Sequence, residues 1–106
     1  MDEGFSAYND YFDFSRLKSA IRMFANCKVL THVKLYLPNV INTSAMFLNN
    51  ENIGVVDIEY QGNSPKCTTA VSMYEGCKYL KTLKPKSVFA NSLRKADYMF
   101  WQSGIT

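Results

Sequence analysis

Four methionine-aromatic pairs, Met23-Phe24, Met46-Phe47, Met73-Tyr74 and Met99-Phe100, recur along the chain at intervals of 23, 27 and 26 residues. Few architectures accommodate such a period, because a unit of about 20 to 29 residues cannot bury its own apolar side and must lean on a neighbouring copy. The surroundings of each pair repeat as well. Downstream of the first three methionines stand Leu30, Val33 and Leu35, then Ile53, Val56 and Ile58, then Leu80, Leu83 and Pro85, all in an L-x-x-L-x-L spacing. Six and three residues upstream of each methionine stand Leu17 and Ala20, Val40 and Thr43, Cys67 and Ala70, Leu93 and Ala96. The upstream spacing reads as one or two turns of helix and the downstream alternation as a short strand.

The junction between them has its own chemistry. Asn26, Asn49, Gly76 and Gln102 follow their methionines by three residues, and glycine and asparagine accept the left-handed backbone that closes a helix. Three of the four copies therefore carry a stop at the same place. Cys27, Asn50 or Cys77 comes next, small enough to tuck under the turn.

On these residues the chain resembles the repeat of BspA-type leucine-rich proteins, a surface-protein repeat of bacteria and mycoplasmas. The likeness rests on NTSAMFLNNENIGVVDIE and AVSMYEGCKYLKTL and covers roughly residues 15 to 106. The spacing is uneven, Gln61 to Pro65 is an irregular insertion, and no clean asparagine ladder follows the strands. The resulting expectation is an α/β fold: a small leucine-rich-repeat-like solenoid with short helices stacked beside a three- to four-stranded parallel sheet. The resemblance implies adhesion or surface recognition through the sheet face.

Residues 1–14 read as an N-terminal cap and residues 15–106 as the repeat domain, about three full repeats and a closing helix. The head places Phe5, Tyr8, Tyr11, Phe12 and Phe14 among acids, which suits either a cover for the open end of the stack, with a short strand near Tyr8 to Phe12, or a docking peptide for a basic partner. From Ser15, a plausible cap, a helix is expected with Leu17, Ala20, Ile21 and Phe24 on one face. Strands follow over Leu30–Leu35 and Val55–Tyr60, and a third over Lys81–Lys86, where Pro85 between lysines marks an exposed edge. Val40 to Phe47 suits a single turn or a 3-10 segment, because Asn42, Thr43 and Ser44 are poor helix formers. Thr68 or Thr69 can cap a third helix, and a closing one takes Val88, Leu93, Ala96, Met99 and Phe100 inward.

Charge divides the 106 residues. Asp2, Glu3, Asp10 and Asp13 give the first 13 a net −4, and the remainder carries twelve bases against five acids. Such a body attracts acidic partners, although solvated lysines on a small domain look the same. No apolar run approaches the roughly 20 residues needed to span a bilayer, and no secretory leader is visible at Met1. Localisation stays open on these grounds. Cys27, Cys67 and Cys77 fall in repeat slots and read as buried core residues; without a C-x-x-C pair no metal site is expected.

If the L-x-x-L-x-L residues face the core, those between them face outward. Stacking the copies gives three columns of candidate partner-binding residues: His32, Val55 and Thr82; Lys34, Asp57 and Lys84; Tyr36, Glu59 and Lys86. The middle column alternates in sign, favouring in-register parallel stacking by about 0.2–1 kcal/mol per pair. Solvated strand residues with no partner would pair the same way.

Catalysis is not expected. His32 is the only histidine, Cys27 its nearest thiol in sequence points toward the repeat turn, and neither a phosphate-cradling glycine loop nor a carboxylate pair stands out. No cofactor is implied. Lys78, Lys81, Lys84 and Lys86 with Tyr79 permit weak, salt-sensitive nucleic-acid binding, ranked below a protein partner because no nucleic-acid motif accompanies them. The expectation is a non-catalytic protein-protein interaction module. The alternative is a structural or assembly subunit, such as part of a phage particle, that docks through its ends.

Overall fold

The computed structural model describes residues 12–14, 16–61 and 65–105. Four strands, β1 (Phe12–Asp13), β2 (His32–Tyr36), β3 (Val55–Glu59) and β4 (Thr82–Leu83), form one parallel sheet in the order β1-β2-β3-β4. β2 and β3 pair in the register His32↔Val55, Lys34↔Asp57 and Tyr36↔Glu59, as stacked repeats require. Opposite the sheet a second parallel line joins the coils by single bridges, Ser19 to Asn42, Asn42 to Thr69 and Thr69 to Lys95.

The helices are absent. Among the described residues the only helical element is a 3-10 turn at Pro85–Val88, so the chain is not an α/β solenoid with stacked helices. The expected first helix, the third helix capped by Thr68 or Thr69, and the closing helix are all turns, and Thr69 is instead a bridge residue. Ser15 and residues 1–11, where the cap and most of its strand were expected, lie outside the described residues, as do residues 62–64 of the insertion. No helix of the described residues is long and apolar enough to cross a membrane.

Backbone geometry explains the correction. The residue just before each methionine, Arg22, Ala45, Ser72 or Tyr98, has φ between 55° and 58°. One left-handed residue there breaks an α-helix, which needs φ near −60° throughout. The left-handed residue expected at Asn26, Asn49 and Gly76 is there, and Gln102 shares it, with φ of 58–76°, although no helix precedes it to be stopped. Each copy therefore carries two left-handed residues four apart, and they shape a six-residue turn segment rather than terminating a helix.

Alternate amides are thereby released to bond across coils. In the first turn segment Met23, Ala25 and Cys27 donate three residues back, to Ala20, Arg22 and Phe24. The amides between them point along the stack: Ala20, Arg22, Phe24 and Asn26 donate to the carbonyls of Asn42, Ser44, Met46 and Leu48 at 2.7–3.0 Å. The second segment repeats this onto the third, and the third onto the fourth. Each rung contributes about 1 kcal/mol net, which offsets the similar cost of each left-handed residue.

Inside the coil the aromatic of each pair stacks on the next. Phe24, Phe47, Tyr74 and Phe100 form one column with centroids 5.5, 5.6 and 5.5 Å apart and ring planes within 13°. Leu30, Leu35, Ile53, Val56, Ile58, Leu80, Met46 and Met73 are fully buried around it. Ile21 is the exception to the helical reading. It was expected on the core face with Leu17 and Ala20, yet it is 50% exposed, because the turn aims its slot outward.

The third strand is also shorter than Lys81–Lys86. β4 ends at Leu83, and at Pro85 the chain curls into the 3-10 turn, leaving Pro85 itself exposed. Side chains then stand in for the missing strand along β3. Ser87 Oγ accepts from the Ile58 amide at 2.8 Å and donates to the Val56 carbonyl at 3.4 Å, and Lys86 Nζ donates to the Tyr60 carbonyl at 3.2 Å. Phe89 then turns inward and its ring lies 6.0 Å from that of Tyr60.

Candidate interaction surface

Register brings the expected columns together along β2 and β3. His32, Val55 and Thr82 are consecutive rungs of the sheet, and so are Lys34 with Asp57 and Tyr36 with Glu59. β1 extends the last column by one position, since Asp13 pairs with Tyr36. Lys84 and Lys86 lie beyond β4 and join the face differently. The Lys84 amide still donates to the Val56 carbonyl, whereas Lys86 sits in the 3-10 turn.

Lys86 is anchored at the edge of the face by a carboxylate and a ring. Its ammonium is 2.9 Å from a Glu59 carboxylate oxygen and 5.0 Å from the centre of the Tyr60 ring. Both partners of the ion pair are partly exposed, so the pair is worth at most about 1 kcal/mol, but it fixes a cation and an aromatic side by side at the sheet edge. His32 is half-buried with Nδ1 3.2 Å from the Thr31 hydroxyl. Asp57 departs most from the alternating pattern: at 9% exposure it is nearly as covered as the core residues either side of it. Thr82 and Lys84 are the exposed members.

The sequence leaves Trp101 partly exposed on the last coil, and the structure adds Tyr98 beside it. Tyr98 is 65% exposed and Trp101 55%, with ring centres 5.8 Å apart, and Tyr79 in the preceding copy is also exposed. Aligning the copies carries the signal for Tyr98, because its slot is otherwise held by Arg22, Ala45 and Ser72. On the turn side a shallow depression of about 440 Å³ is lined by Ile21, Ala45, Leu48 and Val71, with Arg22 and Glu75 at its margin.

The thiols behave as core. Among the described residues no three His, Cys, Asp or Glu side chains gather where a metal could be held. Burial pushes the Cys77 thiol from 9.0 up to about 12, and its Sγ lies 3.1 Å from the Phe47 carbonyl. Burial likewise raises Cys67, whose Sγ is 3.4 Å from the Thr43 hydroxyl, and holds the Tyr74 phenol well above its usual range. All three groups keep their protons in the fold and release them more readily when unfolded. For Cys77 that stabilisation is therefore complete below its ordinary value of 9.0 and is lost as pH rises from there toward about 12, and Cys67 and Tyr74 lose theirs in the same sense. Within that window the loss from Cys77 approaches about 1.4 kcal/mol per pH unit. Urea midpoints are expected to stay flat between pH 7 and 8 and to fall steeply above pH 9. At pH 8 a thiol reagent is expected to reach Cys67 and Cys77 only through unfolding.

Asn50 takes the same slot as Cys27 and Cys77. It is fully buried and donates from Nδ2 to the Phe24 carbonyl at 2.6 Å, while its Oδ1 has no donor. One slot thus bonds the carbonyl of the coil before it through an amide or through a thiol, which accounts for the alternation of Cys and Asn along the sequence. Compared with protein-family models, curated proteins and solved structures, the chain matches none of them.

Proposed function

We propose that the chain is a non-catalytic protein-binding module, of the BspA-like type that its repeats resemble, and that it recognises a protein partner through the outer face of the sheet. The observation that supports this reading is the register. Five consecutive rungs of β2 and β3 set His32, Lys34 and Tyr36 beside Val55, Asp57 and Glu59, and the Lys86–Glu59 pair extends that face to the edge. A rigid face of mixed charge with aromatic flanks suits recognition of a surface carrying both acids and apolar groups. Cys67 and Cys77, buried and protonated, offer no nucleophile.

Peptides selected from a random display library on the intact chain provide the test. Lys34→Glu together with Lys84→Glu is expected to weaken the selected peptides at least tenfold, well beyond the modest fall in melting temperature that three neighbouring acids in the middle column bring. Peptides that bind the double variant as well as the original chain would remove the sheet face from consideration.

A further inference from the structure

The depression on the turn side is built from three slots of the repeat, two residues before each methionine, one before it and two after it. In the third copy these slots hold Val71, Ser72 and Glu75, and residues in the same slots of the two copies before line the rest. In the fourth copy they hold Asp97, Tyr98 and Trp101. Rungs of 2.9 Å from Ser72 to the Asp97 carbonyl and from Gly76 to the Trp101 carbonyl set that copy one coil beyond. The step is about 4.8 Å along the stack. The floor of the depression therefore runs on to two aromatic rings.

This end of the turn side has a chemistry of its own. The rings of Tyr98 and Trp101 are exposed and tilted by 59°, so their faces look in different directions instead of covering one another. Asp97 is exposed and Glu75 half-buried, and among the described residues neither carboxylate takes part in an ion pair. No lysine or arginine fills the three slots in the third or fourth copy, and Arg94 and Lys95 precede the turn at the corner where Lys95 bridges Thr69. Two acids thus lie beside two open rings on a chain whose net charge is +3. At the far end of the depression the sign reverses at Arg22, exposed and without an ion pair among the described residues.

An aromatic face attracts a cation through its quadrupole, and a guanidinium can stack on a ring while its N–H fork bonds a carboxylate. We infer that the turn side binds an extended segment of a protein partner, with an arginine of that segment against Tyr98, Trp101, Glu75 and Asp97 and its apolar side chains in the depression. From the slot of Tyr98 to that of Arg22 is three coil steps, about 14 Å, which about four residues of extended chain span. A carboxylate four residues beyond the arginine therefore meets Arg22. The site uses no residue of β2 or β3 and does not depend on the sheet face binding a partner.

Trp101 is the only tryptophan, so its emission reports on the site directly. The intact chain is titrated with the acetylated, amidated pentapeptide arginine-leucine-serine-leucine-glutamate, and a saturable change in emission is expected. Citrulline in place of the arginine keeps the shape without the charge and is expected to weaken binding at least tenfold. Glu75→Gln together with Asp97→Asn is expected to do the same with an unchanged melting temperature. Tyr98→Ala is expected to weaken binding at least fivefold in a chain that still folds, since Ala45 already holds that slot at φ 55°. Lys34→Glu together with Lys84→Glu is expected to leave the affinity as it was. No saturable change through the millimolar range, equal binding of the citrulline peptide, or a loss caused by the lysine pair and not by the acid pair would each overturn the inference. So would a response to single-stranded oligothymidine and none to the peptide, which would point to base stacking on the two rings.

Discussion

Replacing Phe47 with alanine is expected to cost about 3–5 kcal/mol and to lower the melting temperature by upwards of about 12 °C. The ring is wholly buried and stacks on both faces, against Phe24 and Tyr74. Its removal loses the transfer energy of a phenyl group and both stacking partners, and it leaves a void in the middle of the column. Stability in a stacked array is a sum over neighbouring units, so a central gap uncouples both halves at once. Phe100→Ala is the matched control. That ring is half-buried and has one partner in the column, Tyr74, so its loss is expected to cost less than half as much. Thermal melts of the two variants decide whether rings or backbone rungs carry the stack. Equal and small losses would mean that the rungs alone suffice.

That column was legible from the sequence, and the turn around it was not. The Met-aromatic spacing predicts stacked copies, and the strand pattern predicts the pairing of Lys34 with Asp57 and of Tyr36 with Glu59, both of which the sheet contains. Periodicity failed at the helices because the six-residue turn also buries positions three and four apart: Ala20, then Phe24. Ile21 separates the two readings. A helix would bury it, while two of its three equivalents, Ser44 and Asp97, are polar, as an outward slot favours, and the third is Val71. The second left-handed position was hidden because it is filled by Arg22, Ala45, Ser72 and Tyr98, none a residue that favours φ > 0. Rungs between coils select that conformation, and no local propensity announces them. The burial of Asp57 and the role of Ser87 were illegible for the same reason, since both depend on where β4 gives way to the 3-10 turn.

Ser87→Ala tests that transition directly. The serine is fully buried, and its hydroxyl is the acceptor for the Ile58 amide in the middle of β3, where a longer β4 would have supplied a carbonyl. Alanine fits the space but leaves a buried amide without a partner, at a cost of about 1–3 kcal/mol. The urea midpoint is expected to fall accordingly. Position adds a sharper readout: amide exchange at Ile58 is expected to accelerate well beyond the change in global stability, while Phe47 and Tyr74, whose rungs lie on the opposite side of the coil, follow the global change alone. Ser103→Ala serves for comparison, since its hydroxyl accepts only from the Ile105 amide at the chain's last turn and its loss is expected to stay within about 0.5 kcal/mol. If Ile58 remains as protected as before, a neighbouring group has taken over from Ser87. The short β4 would then be an edge that the backbone closes unaided, and the anchoring of Lys86 beside Glu59 would owe nothing to the turn.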